Sequence, residues 1–585
     1  MSATTLPTPA ASPAAAATTS RGATWWPLGL FTALSVLMFG IPILGHLSTH
    51  VVASDPFDSS AFMWFLAWWP HALLHGLNPF VTHAMFVPGG FNLTWAAAMP
   101  GPALLLSPAT ELFGASVTWN IIALASPALA AWTMYLLCRE LTGRTGSSLA
   151  AGYIFGFSPY MLVHLTGSPN LSLVVLVPVL IRLVVRRVRG LTSARRFVIC
   201  AASALIGQYL TSSEVLVTAT MFGAVGYVTA FALWREHRRA LIRTAGELTA
   251  AYAITVIAIS PFLYYFFFGH QYPPGATGFR ADLASFGLPP SLVAIGHHST
   301  PFRGSDNESY LGLGLLALIL AWIWTERRRR GTWLIVVPML AAALCSLGNH
   351  LVVRRQATSI PGVWYGLHHL PILKYAIPVR LSLFVIIPAA VIVALFLSGS
   401  GSGSGSGSRS GSGSGPASRS RAESTSGSGW GQSGRWRWAL AALAIAFIVP
   451  DIGSSSWNTL VRDPAFFSSG QYRHYLHASD NVLTVPAWGP NERWQANTGF
   501  AFHLAAGYAG NPFPVAYSRY PTWGTLLSGH LTADYAAQLR RFVDDKGVTA
   551  IVVDASVPGP WRRLFAPLGV TPVTTGGVIY YRLHN

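Results

Sequence analysis

Runs of about 20 apolar residues recur along this chain, separated by short arginine-rich stretches, and they limit its fold more than any other feature. Segments of that length and polarity match the thickness of a bilayer core. Composition agrees with them. Of 585 residues, 52% are hydrophobic and 10% charged, whereas a soluble chain carries roughly a quarter charged residues. A single soluble globular domain is excluded, and the Leu, Ile, Val and Trp content excludes disorder for most of the chain. The sequence reads as an integral membrane protein.

The first run, Trp25–Leu47, follows Arg21 and an Ala/Thr/Pro-rich tail over 1–23, which is expected to be disordered and cytoplasmic. The run is too long for a signal peptide and lacks a persuasive cleavage site. Further spans are expected at 117–138, 149–163, 171–185, 197–212, 215–234, 247–268, 310–325, 332–348, 381–397 and 438–450. Arginines test this count independently. Arg139/Arg144, Arg182–Arg196, Arg235–Arg243, Arg327–Arg330 and Arg409–Arg437 all fall on one side if every run crosses, which is the positive-inside pattern. About eleven crossings then leave the N-terminus in the cytoplasm and the C-terminus outside.

The expected organisation is mainly α: a polytopic membrane protein with a C-terminal extracytoplasmic α/β domain. Residues 24–397 form the transmembrane core with a long first outer loop at 48–116, and 398–437 a Gly/Ser-rich flexible cytoplasmic linker. The span 438–450 follows, and then 451–585 outside. In that last part strands are expected at Asn481–Trp488, Val548–Asp554 and Gly577–Leu583, with helices at Ala533–Lys546 and Trp561–Leu568.

The formal net charge is +18, and only Lys374 and Lys546 among the 38 basic residues are lysines. Basic charge alone does not call for nucleic acid, and no such partner is expected. The arginine skew, with abundant Ala and Gly, suggests a high-GC bacterial genome and a bacterial plasma membrane. Cys138, Cys200 and Cys345 lie in apolar stretches without a CxxC or Cys/His cluster, so neither a disulfide framework nor a structural zinc site is expected.

Candidate chemistry gathers on the outer face. Asp55 and Asp58 follow the first span and precede an aromatic stretch, Phe62–Leu77, expected as a helix lying along the membrane surface. An Asp-Pro step beside an aromatic platform holds a carboxylate rigidly, where it could take a proton from an acceptor hydroxyl or hold a divalent cation. For Asp58 the alternative is a helix cap or a solvated charge. His71 and His75 share a helical face at i, i+4 spacing, but no HExxH surrounds them, and headgroup or phosphate binding is the expectation. His164 and Asn170 bound the HLTGSPN loop. Glu214 lies between two apolar runs, either functional or paired with an arginine. Glu308 and Tyr310 close the NESY segment. Arg280, Arg303 and Arg380 are the expected donor-phosphate ligands, since a guanidinium presents a planar fork to phosphate oxygens. Trp488, Trp494 and Trp523 are either core or membrane-docking residues of the outer domain, or a sugar-binding platform, with Trp523 the preferred platform residue.

The run DPFDSSAFMWFLAWWPHAL with GLNPF and MFVPGGFNLTW, then YIFGFSPYMLVHLTGSPNL, then NESYLGLGLL, resembles a group of large actinobacterial membrane proteins similar to GT-C superfamily glycosyltransferases. That resemblance covers most of 25–397. It implies a many-helix membrane enzyme using a polyprenyl-phosphate-linked sugar, with an acidic residue in the first outer loop. By position Asp55 matches that acid and Asp58 is its neighbour. The two are separated by Pro56 and Phe57, unlike the adjacent acids of many members. The expected activity is transfer of a sugar to a saccharide or envelope acceptor at the outer face, with inversion. The competing classes are a flippase of lipid-linked saccharides, which would call for internal repeats, and a non-catalytic envelope-assembly protein.

Overall fold

A computed structural model describes residues 22–54, 56–270, 272, 279–296, 308–370, 373–399, 432–487, 491–510 and 514–583. Asp55, Arg303, Trp488, most of the Gly/Ser segment and nearly all of the N-terminal tail lie outside them.

The apolar runs are helices, the conformation in which a lipid-facing segment satisfies its own backbone groups. Among the described residues five are long and apolar enough to cross a membrane: Thr24–Ile43, Ala115–Thr142, Ser213–Leu233, Arg235–Ala258 and Pro378–Ser398. Leu313–Glu326 and Arg330–Ser346 are shorter apolar helices. The Ala115–Thr142 helix is central, packing against Gly22–Ser35, Thr145–Gly156, Leu176–Val188 and Leu383–Ser398. Its approach to Thr145–Gly156 is close enough to require glycine. A Cβ on Gly156 would stand 2.4 Å from the Pro127 carbonyl oxygen and 2.5 Å from the Ala131 Cβ.

Three expected spans are not single helices. The run 149–163 divides into Thr145–Gly156 and Pro159–Leu165. Pro159 has no N–H and starts the second helix, and the Ser158 hydroxyl caps it by accepting from the Met161 amide. The run 247–268 divides ahead of Pro261 into Arg238–Ala258 and Ser260–Phe268. The run 171–185 starts in the short Pro169–Ser172 helix and resumes as Leu176–Val188. In the first two cases proline lies at the start of the new helix, where its missing donor costs nothing.

Several arginine clusters meet at one end of the bundle. Glu140 accepts from Arg182 and from Arg186, the latter at 2.6 Å, and Arg187 holds both oxygens of Glu247 at 2.5 Å. At the same end the Trp438 ring lies over Gly146. The thiols of Cys138, Cys200 and Cys345 are free.

The C-terminal segment carries a five-stranded sheet in the order Val573–Thr575, Val578–Arg582, Ala550–Asp554, Asn481–Val485, His503–Leu504. Asn481–Val485 is parallel to both of its neighbours, and the other pairs are antiparallel. The Tyr535–Lys546 helix turns the chain back into Ala550–Asp554. Gly547 permits that reversal in the left-handed region, at φ +57°.

The sheet does not stop at this segment. Met85 of the first loop bridges Leu504 in parallel, with the Leu504 amide donating to the Ala84 carbonyl at 2.8 Å. His50–Val51 pairs antiparallel with Thr459–Leu460. One hydrophobic core therefore joins Trp64, Met85 and Phe91 of the loop to Trp494, Val553 and Phe542 of the C-terminal segment. The aromatic stretch is a helix from Pro56 to Leu74, one turn or more earlier than expected. Trp64, Trp68 and Trp69 are buried in it, covered on one side by the Asn491–Asn497 helix.

Trp494 and Trp523 are buried rather than presented on loops, Trp494 stacking on Phe467 and Trp523 packing edge-on to Tyr517. Burial assigns both to the core. Trp523→Phe is accordingly expected to cost about 1 kcal/mol of stability and to leave acceptor KM unchanged. A raised KM in steady-state kinetics would return this indole to the role of sugar platform.

Candidate functional site

The HLTGSPN loop, between the Pro159–Leu165 and Pro169–Ser172 helices, brings the candidate groups together. On one side it holds the start of the 48–116 segment. The Ser54 amide donates to the Thr166 carbonyl at 3.0 Å. A Cβ on Gly167 would lie 3.7 Å from Asp58 Oδ2. The residues flanking Asp55 are thus fastened against this turn. Asp58 stands in the first turn of the Pro56–Leu74 helix, where a carboxylate is favoured by the helix dipole. Its Oδ1 accepts from the Tyr508 hydroxyl at 2.6 Å.

On its other side the loop carries His164, buried, with the Tyr160 ring edge-on at 4.4 Å between centroids. His164 Nε2 lies 3.4 Å from Glu308 Oε2. That is an ion-contact distance, but the two are not aligned for a hydrogen bond and both atoms are without one. Glu308 is fixed through its backbone, its carbonyl accepting from the Ser382 hydroxyl at 2.9 Å. Two residues before Ser382, Arg380 donates to Glu214 Oε2 at 2.6 Å. Glu214 sits in the first turn of Ser213–Leu233, behind the Ser212 cap. Tyr160, Glu214, Glu308 and Arg380 lie within electrostatic range of one another. Asn170 Oδ1 is likewise buried without a hydrogen bond.

Of the sequence candidates, then, Asp58, His164, Asn170, Glu214, Glu308 and Arg380 gather around one loop. Arg280 is close by through the backbone: Ala281 packs with Ile377 and Val379, just ahead of Arg380. The Arg280 stem lies on Gly348. Asp55 and Arg303 fall outside the described residues. Tyr310 is buried with its hydroxyl against Gly312. His71 and His75 stack at 4.1 Å between ring centroids, and His71 also stacks on Phe500. Burial, then the neighbouring His75, holds the His71 pKa below its ordinary 6.5, so His71 at neutral pH offers a ring rather than a cation. Among the described residues no three His, Cys, Asp or Glu side chains converge on a metal position.

Sequence reasoning missed Tyr508, Tyr160 and Glu492. Tyr508 is 450 residues from Asp58, and no local periodicity could connect them. Glu492 was visible as an acid in the aromatic- and proline-flanked GPNERW segment. It is wholly buried, and desolvation raises its pKa from 4.5 to about 8. A carboxyl with a raised folded-state pKa adds stability that is full below its unfolded value and is lost as pH rises through about 8. Relative to Glu492→Gln, the wild-type thermal midpoint should therefore fall by several degrees between about pH 5 and pH 9. Parallel melting curves for the two proteins would assign the carboxyl an ordinary pKa.

Residues 28–370 match a protein family described as a domain of unknown function, DUF6311. The chain belongs to that family. No curated protein sequence matches it. Solved structures show the fold of this DUF6311 chain. Arabinofuranosyltransferase AftD from Mycobacteria superposes with a TM-score of 0.54 at 14% identity, over 96% of this chain and 42% of that one. The DUF6311 chain thus spans less than half of AftD. The oligosaccharyltransferase of Archaeoglobus fulgidus, tethered to an acceptor peptide, gives 0.51 at 12% identity, over 97% of this chain and 74% of that one. Both are GT-C fold glycosyltransferases, and the DUF6311 chain has the GT-C fold.

Proposed function

We propose that this protein is a membrane glycosyltransferase that moves a sugar from a polyprenyl-phosphate donor to a cell-envelope acceptor at the outer face of a bacterial plasma membrane. The observation that carries this reading is the meeting, at the HLTGSPN loop of a GT-C fold, of Asp58 with the buried His164–Glu308 contact, beside the partly exposed Arg380–Glu214 pair. Those contacts leave bonding capacity unused at His164, Glu308 and Asn170. Buried polar atoms are nearly always paired, so these unpaired ones are available to a polar substrate.

In this reading Asp55 takes the proton of an acceptor hydroxyl. The hydroxyl oxygen attacks the anomeric carbon, the bond to the lipid phosphate oxygen breaks, and one displacement inverts the configuration. Arg380 and Arg280, with Arg303, meet the charge on the departing phosphate, and the low-dielectric surroundings strengthen that attraction. Asp58, held by Tyr508, keeps the turn bearing Asp55 in place. The gathering of arginine–glutamate pairs at the opposite end of the bundle supports a cytoplasmic placement for that end, with 451–585 an outer α/β domain over the site. About eleven crossings remain the proposed topology.

Lipid-linked sugar profiling of a deletion strain tests the reading. A single accumulated polyprenyl-phosphate sugar, depleted again when the purified protein is added in proteoliposomes, is the expected result. Accumulation that purified protein does not consume would favour a flippase, and an unchanged profile would favour an assembly role.

A further inference from the structure

The buried carboxyl of Glu492 takes no part in the mechanism above, yet its contacts lead to Asp58. Glu492 opens the Asn491–Asn497 helix, a short element whose neighbouring side chains fasten it on several sides. Arg493 pairs with Asp463 at 2.7 Å. Gln495 accepts from the Trp64 indole N–H at 2.7 Å and donates to the Ala84 and Phe502 carbonyls at 2.7 and 2.6 Å. Trp64 lies on the same helix as Asp58, so this short helix is already a reference point for the acid-bearing element. Glu492 adds the second half of a clamp. Its Oε1 accepts from the Tyr508 amide at 2.6 Å, and the Tyr508 hydroxyl donates to Asp58 Oδ1 at 2.6 Å. Oε2 is buried and has no hydrogen-bond partner among the described residues. A carboxyl there is costly unless neutral, and its raised pKa keeps it so at pH 7.

We propose that Glu492 is a positioning residue: it fixes the Tyr508 backbone so that the Tyr508 hydroxyl holds Asp58 in place at the start of the Pro56–Leu74 helix. The catalytic half of this inference rests on the first-loop acids being the reacting centre, as proposed above. Glu492 itself touches no substrate. What it contributes is one acceptor oxygen at a fixed place, and an amide oxygen serves equally well.

The test uses the full-length protein in proteoliposomes and two readouts: transfer kinetics, and hydrogen–deuterium exchange at the Tyr508 amide. Glu492→Ala is expected to lower kcat about 10-fold with little change in KM, the scale of a misplaced reacting group, and to accelerate exchange at Tyr508. Glu492→Gln should restore both. Tyr508→Phe should lower kcat without altering exchange, and adding Glu492→Ala to it should cost no more kcat, because both act through one contact. Because Tyr508→Phe removes a single hydroxyl and Glu492→Gln keeps shape, these two decide the matter even if the alanine variant fails to fold. Wild-type kcat in Tyr508→Phe, or a Gln variant as impaired as the Ala variant, overturns the proposal. Unaltered exchange in a folded Glu492→Ala overturns the clamp regardless of activity. A wild type without transferase activity, but with faster exchange in the alanine variant, overturns the catalytic half together with the reading of the first loop and leaves the clamp standing.

Discussion

Asp55→Asn lowers sugar transfer at least ~100-fold, the scale set by removing a general base, while the protein still inserts and folds. The amide keeps the carboxylate's shape but has no basic oxygen to take the acceptor proton. Folding is expected to survive because the turn is held by its neighbours: Ser54 bonds Thr166, and Asp58 bonds Tyr508. Asp58→Asn should cost less, since an amide oxygen still accepts from the tyrosine hydroxyl. Turnover of radiolabelled donor in proteoliposomes, beside a size-exclusion profile of each variant, reads both effects. Full transfer by the Asp55 variant would take the chemistry away from this loop.

Neutralising Arg380 is expected to produce the second large effect, and its partner shows how to interpret it. Arg380 donates to Glu214 at 2.6 Å, and the side chains are 27% and 24% exposed. Removing one member of a fully buried pair costs about 3–5 kcal/mol because the other charge is left uncompensated. With a quarter of each side chain exposed, about 2 kcal/mol is the reasonable scale. Arg380→Gln alone should therefore lose both folded yield and transfer. In the double variant Glu214→Gln/Arg380→Gln no charge is stranded, so yield should recover. If Arg380 meets the donor phosphate, transfer stays low and donor affinity stays weak. Recovery of transfer along with yield would make the ion pair a structural one.

The sequence made the helices legible because lipid-length apolar runs and flanking arginines are local signals. It concealed the breaks at Pro159 and Pro261 because hydropathy outweighed the proline signal at those positions, and the break between Ser172 and Leu176 carries no proline signal. Part of the site was legible too. His164, Glu214, Glu308 and Arg380 stood out as costly polar groups beside apolar runs, and the fold brings them around one loop. Pairing with an arginine was one of the two expectations for Glu214, but which arginine it meets was not legible, since that depends on which helices pack side by side. For Trp494 and Trp523, burial favours the core alternative. An indole flanked by Pro, Gly and Asn looks like a loop residue until the first loop supplies the other half of its core. Glu492, Tyr508 and Asp58 form the extreme case, with hydrogen bonds reaching across 16 and 450 residues.

That shared core sets the order in which the molecule can be completed. Residues 48–116 leave the ribosome early, yet Trp64 and Met85 find their burial only against Gln495 and Leu504. The intervening chain must be made before the 48–116 segment can complete that core, and until then its indoles lack part of their cover. Contacts of such separation close slowly, because the entropy of bringing the ends together is spent before any contact rewards it. A chain halted near residue 450 is thus more than a protein lacking its last segment. It is one whose 48–116 segment lacks the partners that complete its core.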